Sequence, residues 1–182
     1  MAKILLLDLD GTIRRTKSGK TFINEPEDQE PIEGSIEALD RYHADGYRMI
    51  GITNQGGVAA GQKFLQDAID EQIRTLELFP QLSYIYFCPD FEGKFCYLVS
   101  RENLGRPVHT EWAAHWSGSF RKPNPGMILA ALFNIQNGKN PIEDCLFVGD
   151  RPEDEAAARN AGVRFQWADR WREVNPSAKV TD

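Results

Sequence analysis

Lys3-Ile4-Leu5-Leu6-Leu7-Asp8-Leu9-Asp10-Gly11-Thr12 is a short unbroken apolar run that stops on two carboxylates. Without alternation, such a run is the pattern of a strand buried on both faces of a parallel sheet. Asp8 and Asp10 are separated by one residue, so in extended geometry both side chains point the same way and a divalent cation fits between them. Gly11 then lets the backbone turn sharply.

Outward from this stretch the same pattern recurs. Met49 to Ile52, Ser83 to Phe87 and Asp144 to Val148 are further short apolar runs, each separated from the last by a segment with helical spacing. The helical segments are Ser35 to Asp45, Gln62 to Leu78, Pro125 to Gln136 and Pro152 to Asn160; Gly46 and Gly162 follow two of them as C-terminal stops. A last short strand is expected near Val163 to Phe165. Strands alternating with helices predict a parallel α/β sheet.

With 182 residues, 41% apolar and 26% charged, the composition is that of one globular domain, and a second full domain has no room. That domain is expected over residues 1–175, with an irregular insertion at about 90–120 and a frayed tail over 176–182. Within the insertion only Thr110 to Trp116 has helical character; so long an irregular stretch is usually a flap or a disordered loop. Apolar runs are too short to span a bilayer, so no membrane role is expected. Cys88, Cys96 and Cys145 form no disulfide-like arrangement and no N-terminal signal is read, which points to the cytoplasm. A net charge of −6 gives no global attraction for nucleic-acid phosphates.

The chemistry-bearing residues fall at strand ends, where open α/β sheets bind ligands. Asp8 and Asp10 follow the first strand, Thr53 and Asn54 the second, Asp150 the fourth. Asp150 adds an oxygen ligand, and a few carboxylates with water and substrate phosphate suit Mg²⁺ better than zinc. Thr53, Asn54 and the cation of Lys122 are groups that stabilise the equatorial oxygens of a phosphoryl group in transfer.

In order along the chain, Asp8-Leu9-Asp10-Gly11-Thr12, Thr53-Asn54-Gln55, Arg121-Lys122-Pro123 and Gly149-Asp150-Arg151-Pro152-Glu153-Asp154 resemble the four motifs of the haloacid-dehalogenase-like (HAD) phosphohydrolase superfamily. The resemblance implies a Rossmann-like three-layer sandwich with a mainly parallel sheet and a minimal cap. It implies that Asp8 attacks phosphorus and that Asp10 protonates the leaving oxygen and then activates water. Mg²⁺ would be held by Asp8, the Asp10 carbonyl and Asp150, with Asp154 a supporting ligand or an orienter of Lys122. Thr53 and Lys122 complete the catalytic set, and Asn54, Arg14 and Arg121 are the expected substrate contacts.

Thr53-Asn54-Gln55-Gly56-Gly57 and Arg121 to Met127 are similar to the branch with histidinol-phosphatases, heptose-bisphosphate phosphatases and polynucleotide 3′-phosphatases. Several members carry a zinc loop of paired cysteines and a histidine. Here Cys88-Pro89-Asp90 keeps one cysteine and Gly118 and Phe120 stand in the second pair, so no structural zinc is expected. Thr16 to Phe22, followed by Pro26 and Asp28, is similar to the corresponding stretch of polynucleotide 3′-phosphatases. The expected activity is thus a magnesium-dependent phosphate-monoester phosphatase acting on a small phosphorylated metabolite, a sugar phosphate or a relative of histidinol phosphate. The alternative is a polynucleotide 3′-phosphatase acting on nucleic-acid ends.

Other features carry weaker readings. Gly19-Lys20-Thr21 lacks the upstream glycine of a P-loop, since Arg14 stands there. His109 and His115, near Trp112 and Trp116, fit loop packing at least as well as substrate or metal contact. Cys88 and Cys96 read as small packing residues. Arg14, Arg15, Lys17 and Lys20 read equally as a solvated basic run or as a steering patch, and Trp167 and Trp171 as edge packing.

Overall fold

The first apolar run forms β1, Ala2–Leu7, and lies at the heart of the sheet. The computed structural model describes residues 2–102, 104–108, 113–136 and 142–173. After β1 come β2 (Arg14–Arg15), β3 (Glu30–Pro31), α1 (Ser35–Ala44), β4 (Tyr47–Asn54), α2 (Leu65–Leu78) and β5 (Leu82–Cys88). Then follow β6 (Tyr97–Val99), β7 (Arg106–Pro107), α3 (Ala113–Trp116), α4 (Gly126–Gln136), β8 (Ile142–Gly149), α5 (Pro152–Ala161), β9 (Arg164–Trp167) and α6 (Ala168–Glu173).

The main sheet has the order β7-β6-β5-β4-β1-β8-β9. The five strands from β5 to β9 in that order are parallel, and β6 and β7 are added antiparallel at one edge. Helices cover both faces. Leu5 and Leu7 pack with Leu39 of α1, Leu76 of α2 and Trp171 of α6. Ile4 and Leu6 pack on the other side with Met127 and Ile128 of α4 and Ala157 and Ala158 of α5. The period-2 alternation of a strand thus feeds two cores, and each fully buried leucine contributes roughly 1.5–3 kcal/mol. This is the expected three-layer α/β sandwich.

The helices match the expected segments with small shifts at the ends. α2 starts at Leu65 rather than Gln62 because the Asp67 carboxylate accepts the Phe64 N–H at 2.8 Å and fixes the first turn there. α5 stops where Gly162, at φ +71°, takes a left-handed conformation and donates to the Ala158 and Arg159 carbonyls.

The stretch from Asp90 to Phe120 differs from the irregular segment expected. β6 pairs with β5 and β7 with β6, and Cys96 and Phe120 are buried in the α4–α5 core. The described part of this stretch is therefore built onto the sheet. Where the resemblance would place a zinc loop, the Asp90 carboxylate accepts the N–H groups of Lys94 and Phe95, each at 2.9 Å. The frayed tail at 176–182, His109, Trp112 and the beginning of the helix expected at Thr110 lie outside the described residues. Among the described residues, no helix is long and apolar enough to cross a membrane.

Candidate active site

The carboxyl ends of β1, β4 and β8 form the floor of a cleft of about 550 Å³. Asp8 closes β1 and is buried; Lys122 reaches its Oδ1 at 2.6 Å, the Asp154 carboxylate at 2.7 Å and the Ile52 carbonyl at 2.9 Å. Asn54, at the end of β4, clamps the Lys122 backbone from both sides: its Oδ1 accepts the N–H and its Nδ2 donates to the carbonyl, each at 3.1 Å. Thr12 Oγ1 donates to Asp8 Oδ2 at 3.3 Å. Thr53 is buried and lines the cleft beside Asp8.

Asp8, Asp150 and Asp154 each offer an oxygen within 4.8 Å of the others. Three carboxylates face one buried ammonium, and Asp150 Oδ1 is buried with no hydrogen-bond partner. Burial pushes the Asp8 carboxyl up to about 7, against the pull of Lys122. Burial and then Asp154 likewise raise Asp150. Burial pulls Lys122 down, but Asp8 and Asp154 outweigh it and hold the ammonium above the usual lysine range. A trio short of positive charge, with one oxygen unpaired, fits a divalent oxygen-seeking cation. Gly11 is indispensable to it: at φ +85°, a Cβ there would stand 2.1 Å from Asp150 Oδ2.

The Asp10 carboxylate stands outside the trio, which departs from the extended-geometry expectation that Asp8 and Asp10 share a cation side by side. The chain turns immediately after Leu9, whose carbonyl accepts the N–H groups of Thr12, Ile13 and Arg14. That turn swings Asp10, 42% exposed at its side chain, towards Arg14 Nε at 2.9 Å. Its backbone carbonyl remains the group that the resemblance assigns to the metal.

Arg14 is wholly buried rather than a solvated loop residue, and it lines the cleft with its guanidinium held by Asp10, Glu71, Gln29 and Thr75. Burial lowers its pKa, yet Asp10 and Glu71 outweigh this and raise it. Arg15 pairs with Glu30 on the surface at 2.8 Å. Arg121 lines the cleft with its guanidinium 5.2 Å from the Phe91 ring centroid, and its Nη1 is buried without a hydrogen-bond partner. Trp171 is core, and neither it, Trp167 nor His115 lines the cleft.

The sequence model of the family described as "Polynucleotide kinase 3 phosphatase" matches residues 3–171. The chain belongs to this family. A D-glycero-beta-D-manno-heptose-1,7-bisphosphate 7-phosphatase from Pasteurella multocida is 30% identical over 90% of this chain and 79% of its own. A D-glycero-alpha-D-manno-heptose-1,7-bisphosphate 7-phosphatase from Burkholderia mallei is 31% identical over 88% of this chain and 76% of its own. Among solved structures, D,D-heptose 1,7-bisphosphate phosphatase from B. bronchiseptica, complexed with magnesium and phosphate, superposes with a TM-score of 0.62. It shares 22% identity and the match covers 90% of this chain and 78% of that one. The protein is thus a HAD-superfamily phosphatase, a phosphoric monoester hydrolase.

Four residues of this phosphatase gained no role from the sequence. Gln55, Lys63 and Glu71 join Arg14 in a buried polar group that lines one side of the cleft. Arg172 of α6 donates to the carbonyls of Gly11 and Thr12. A signal existed for Glu71: with Gln72 and Thr75 it sits on the buried stripe of α2 formed by Ala68, Ile69 and Leu76, where apolar residues are the rule.

Proposed function

We propose that this phosphatase removes a phosphate from a phosphorylated sugar through an aspartyl-phosphate on Asp8. The observation that carries the reading is Lys122 Nζ at 2.6 Å from Asp8 Oδ1, within the carboxylate trio at the floor of the cleft. An Asp8 oxygen attacks phosphorus, the bond from phosphorus to the sugar oxygen breaks, and the electron pair leaves with that oxygen, which takes a proton from Asp10. Water then attacks the phosphoryl group, gives its proton to Asp10, and releases phosphate and free Asp8.

Lys122 sits where it meets the growing negative charge of the phosphoryl oxygens, and Asp154 with Asn54 keeps it there. Asp8, Asp150 and the Asp10 carbonyl would hold Mg²⁺, which when bound supplies positive charge to the phosphoryl oxygens. Arg121, with an unpaired buried donor, is the substrate-binding cation of the cleft wall.

Sugar phosphate as substrate is supported by the relatives, whose names give heptose bisphosphates of both anomers. The family description, together with Phe22 and Phe91 at the cleft, 57% and 58% exposed, favours a second reading: a nucleic-acid 3′ end whose base stacks on the rim. Three free cysteines fit a reducing cytoplasm. The test is magnesium-dependent phosphate release from matched panels of sugar phosphates and 3′-phosphorylated oligonucleotides. A higher kcat/KM on a sugar phosphate supports the first reading, and a higher value on the oligonucleotide replaces it with the second.

A further inference from the structure

To the lining of the cleft, α2 contributes a carboxylate that the reaction above does not use. Glu71 is 2% exposed. Its Oε1 accepts Arg14 Nη2 at 2.6 Å and Gln55 Nε2 at 3.0 Å, and its Oε2 pairs with Lys63 Nζ. Each of these partners leads to a different part of the site. Arg14 spends its five N–H donors on Asp10, Glu71, Gln29 and Thr75, and so presents one fixed edge to the Asp10 carboxylate. Lys63 donates to the Ile23 carbonyl at 2.6 Å, in the loop that walls the cleft.

Burying two carboxylate–cation pairs together with amide groups costs free energy unless every partner is met. Those of Arg14, Lys63, Glu71, Gln29 and Gln55 are met, and the chain of contacts runs along the cleft from Asp10 to the loop of Ile23. We propose that Glu71 is a positioning residue: through Arg14 it fixes the direction in which Asp10 delivers its proton, and through Lys63 it holds the Thr16–Asn24 wall against the cleft. This rests on Asp10 being the acid of the reaction proposed above.

The charge count makes the network separable. Arg14 and Lys63 oppose Asp10 and Glu71, so Glu71→Gln leaves two cations facing one carboxylate, whereas Lys63→Met with Glu71→Gln restores equality. In the double variant Arg14 still lacks its charged anchor, and the wall still lacks Lys63.

The experiment is kcat/KM for a series of para-substituted phenyl phosphates, from p-nitrophenyl to p-methoxyphenyl, on wild type, Asp10→Asn, Glu71→Gln and the double variant. The phenols keep one shape and differ in how much they need a proton to leave, a dependence that loss of fold or of binding does not create. Asp10→Asn is the reference for a lost acid: a selective loss on p-methoxyphenyl phosphate. Glu71→Gln is expected to lose at least about tenfold on that substrate and no more than about twofold on p-nitrophenyl phosphate. Hydrogen–deuterium exchange over residues 16–24 is expected to quicken in Glu71→Gln and in the double variant. Should Glu71→Gln fail to fold, the charge-balanced double variant carries the same two expectations.

Equal losses across the series, or unchanged exchange in the wall, overturn the positioning role while Asp10→Asn still shows its selective loss. A flat series for Asp10→Asn removes the acid reading itself, and the inference falls with it.

Discussion

Arg172 donates from Nη1 to the carbonyl oxygen of Thr12 at 2.6 Å, across 160 residues of chain. The same nitrogen reaches the Gly11 carbonyl at 3.1 Å, so the last described helix braces the turn that presents Asp8 and Asp10. Arg172→Ala leaves two carbonyls unpaired, at a cost of about 1–3 kcal/mol. The expected outcome is a fall of several degrees in melting temperature and a loss of roughly tenfold or more in kcat, read by calorimetry and by phosphate release.

Lys122→Met removes the one buried cation between Asp8 and Asp154. An uncompensated buried charge costs about 3–5 kcal/mol. The variant is expected to be strongly destabilised without metal and to regain more stability than wild type on adding Mg²⁺. Thermal melts with and without the ion measure this; equal gains in both proteins would contradict the charge balance argued for the trio.

Metal binding itself is expected to raise the melting temperature of the wild type, because a ligand that binds only the folded state stabilises it by mass action. Asp150→Asn removes a negative charge at the place where Asp150 Oδ1 is unpaired. The Mg²⁺-induced shift should shrink to near zero in that variant, and chelation with EDTA should leave its melt unchanged.

Asp8→Asn is expected to abolish turnover, since an amide does not attack phosphorus, while the fold persists because one of three crowded carboxylates is neutralised. Circular dichroism and phosphate release together give the answer. Residual turnover above the uncatalysed rate would move the nucleophile elsewhere.

The sequence revealed the four central strands because each is a continuous apolar run, and revealed their order along the chain because helices of clear period separate them. β6 and β7 escaped for a physical reason. A three-residue strand and an exposed two-residue strand at an antiparallel edge carry too few buried positions to impose a pattern.

The site was legible where residues cluster at strand ends, and illegible where charge alone had to reveal burial. Arg14 and Arg15 are identical in type and adjacent, yet one is fully enclosed and the other pairs with Glu30 on the surface. What separates them is Glu71, on a helix 57 residues beyond Arg14, and no local window contains both.

β1 lies between β4 and β8, and Asp8 meets Asp150 only once β8 is in place. During synthesis the nucleophile strand therefore emerges first and waits for its second neighbour until β8 has been made. A nascent chain that ends before β8 exposes one full edge of β1 with Ile4 and Leu6 uncovered by Phe147, a sticky template for other chains. The pairing of Leu6 with Phe147 closes a contact between distant parts of the chain, the kind of step that sheet topology makes slow.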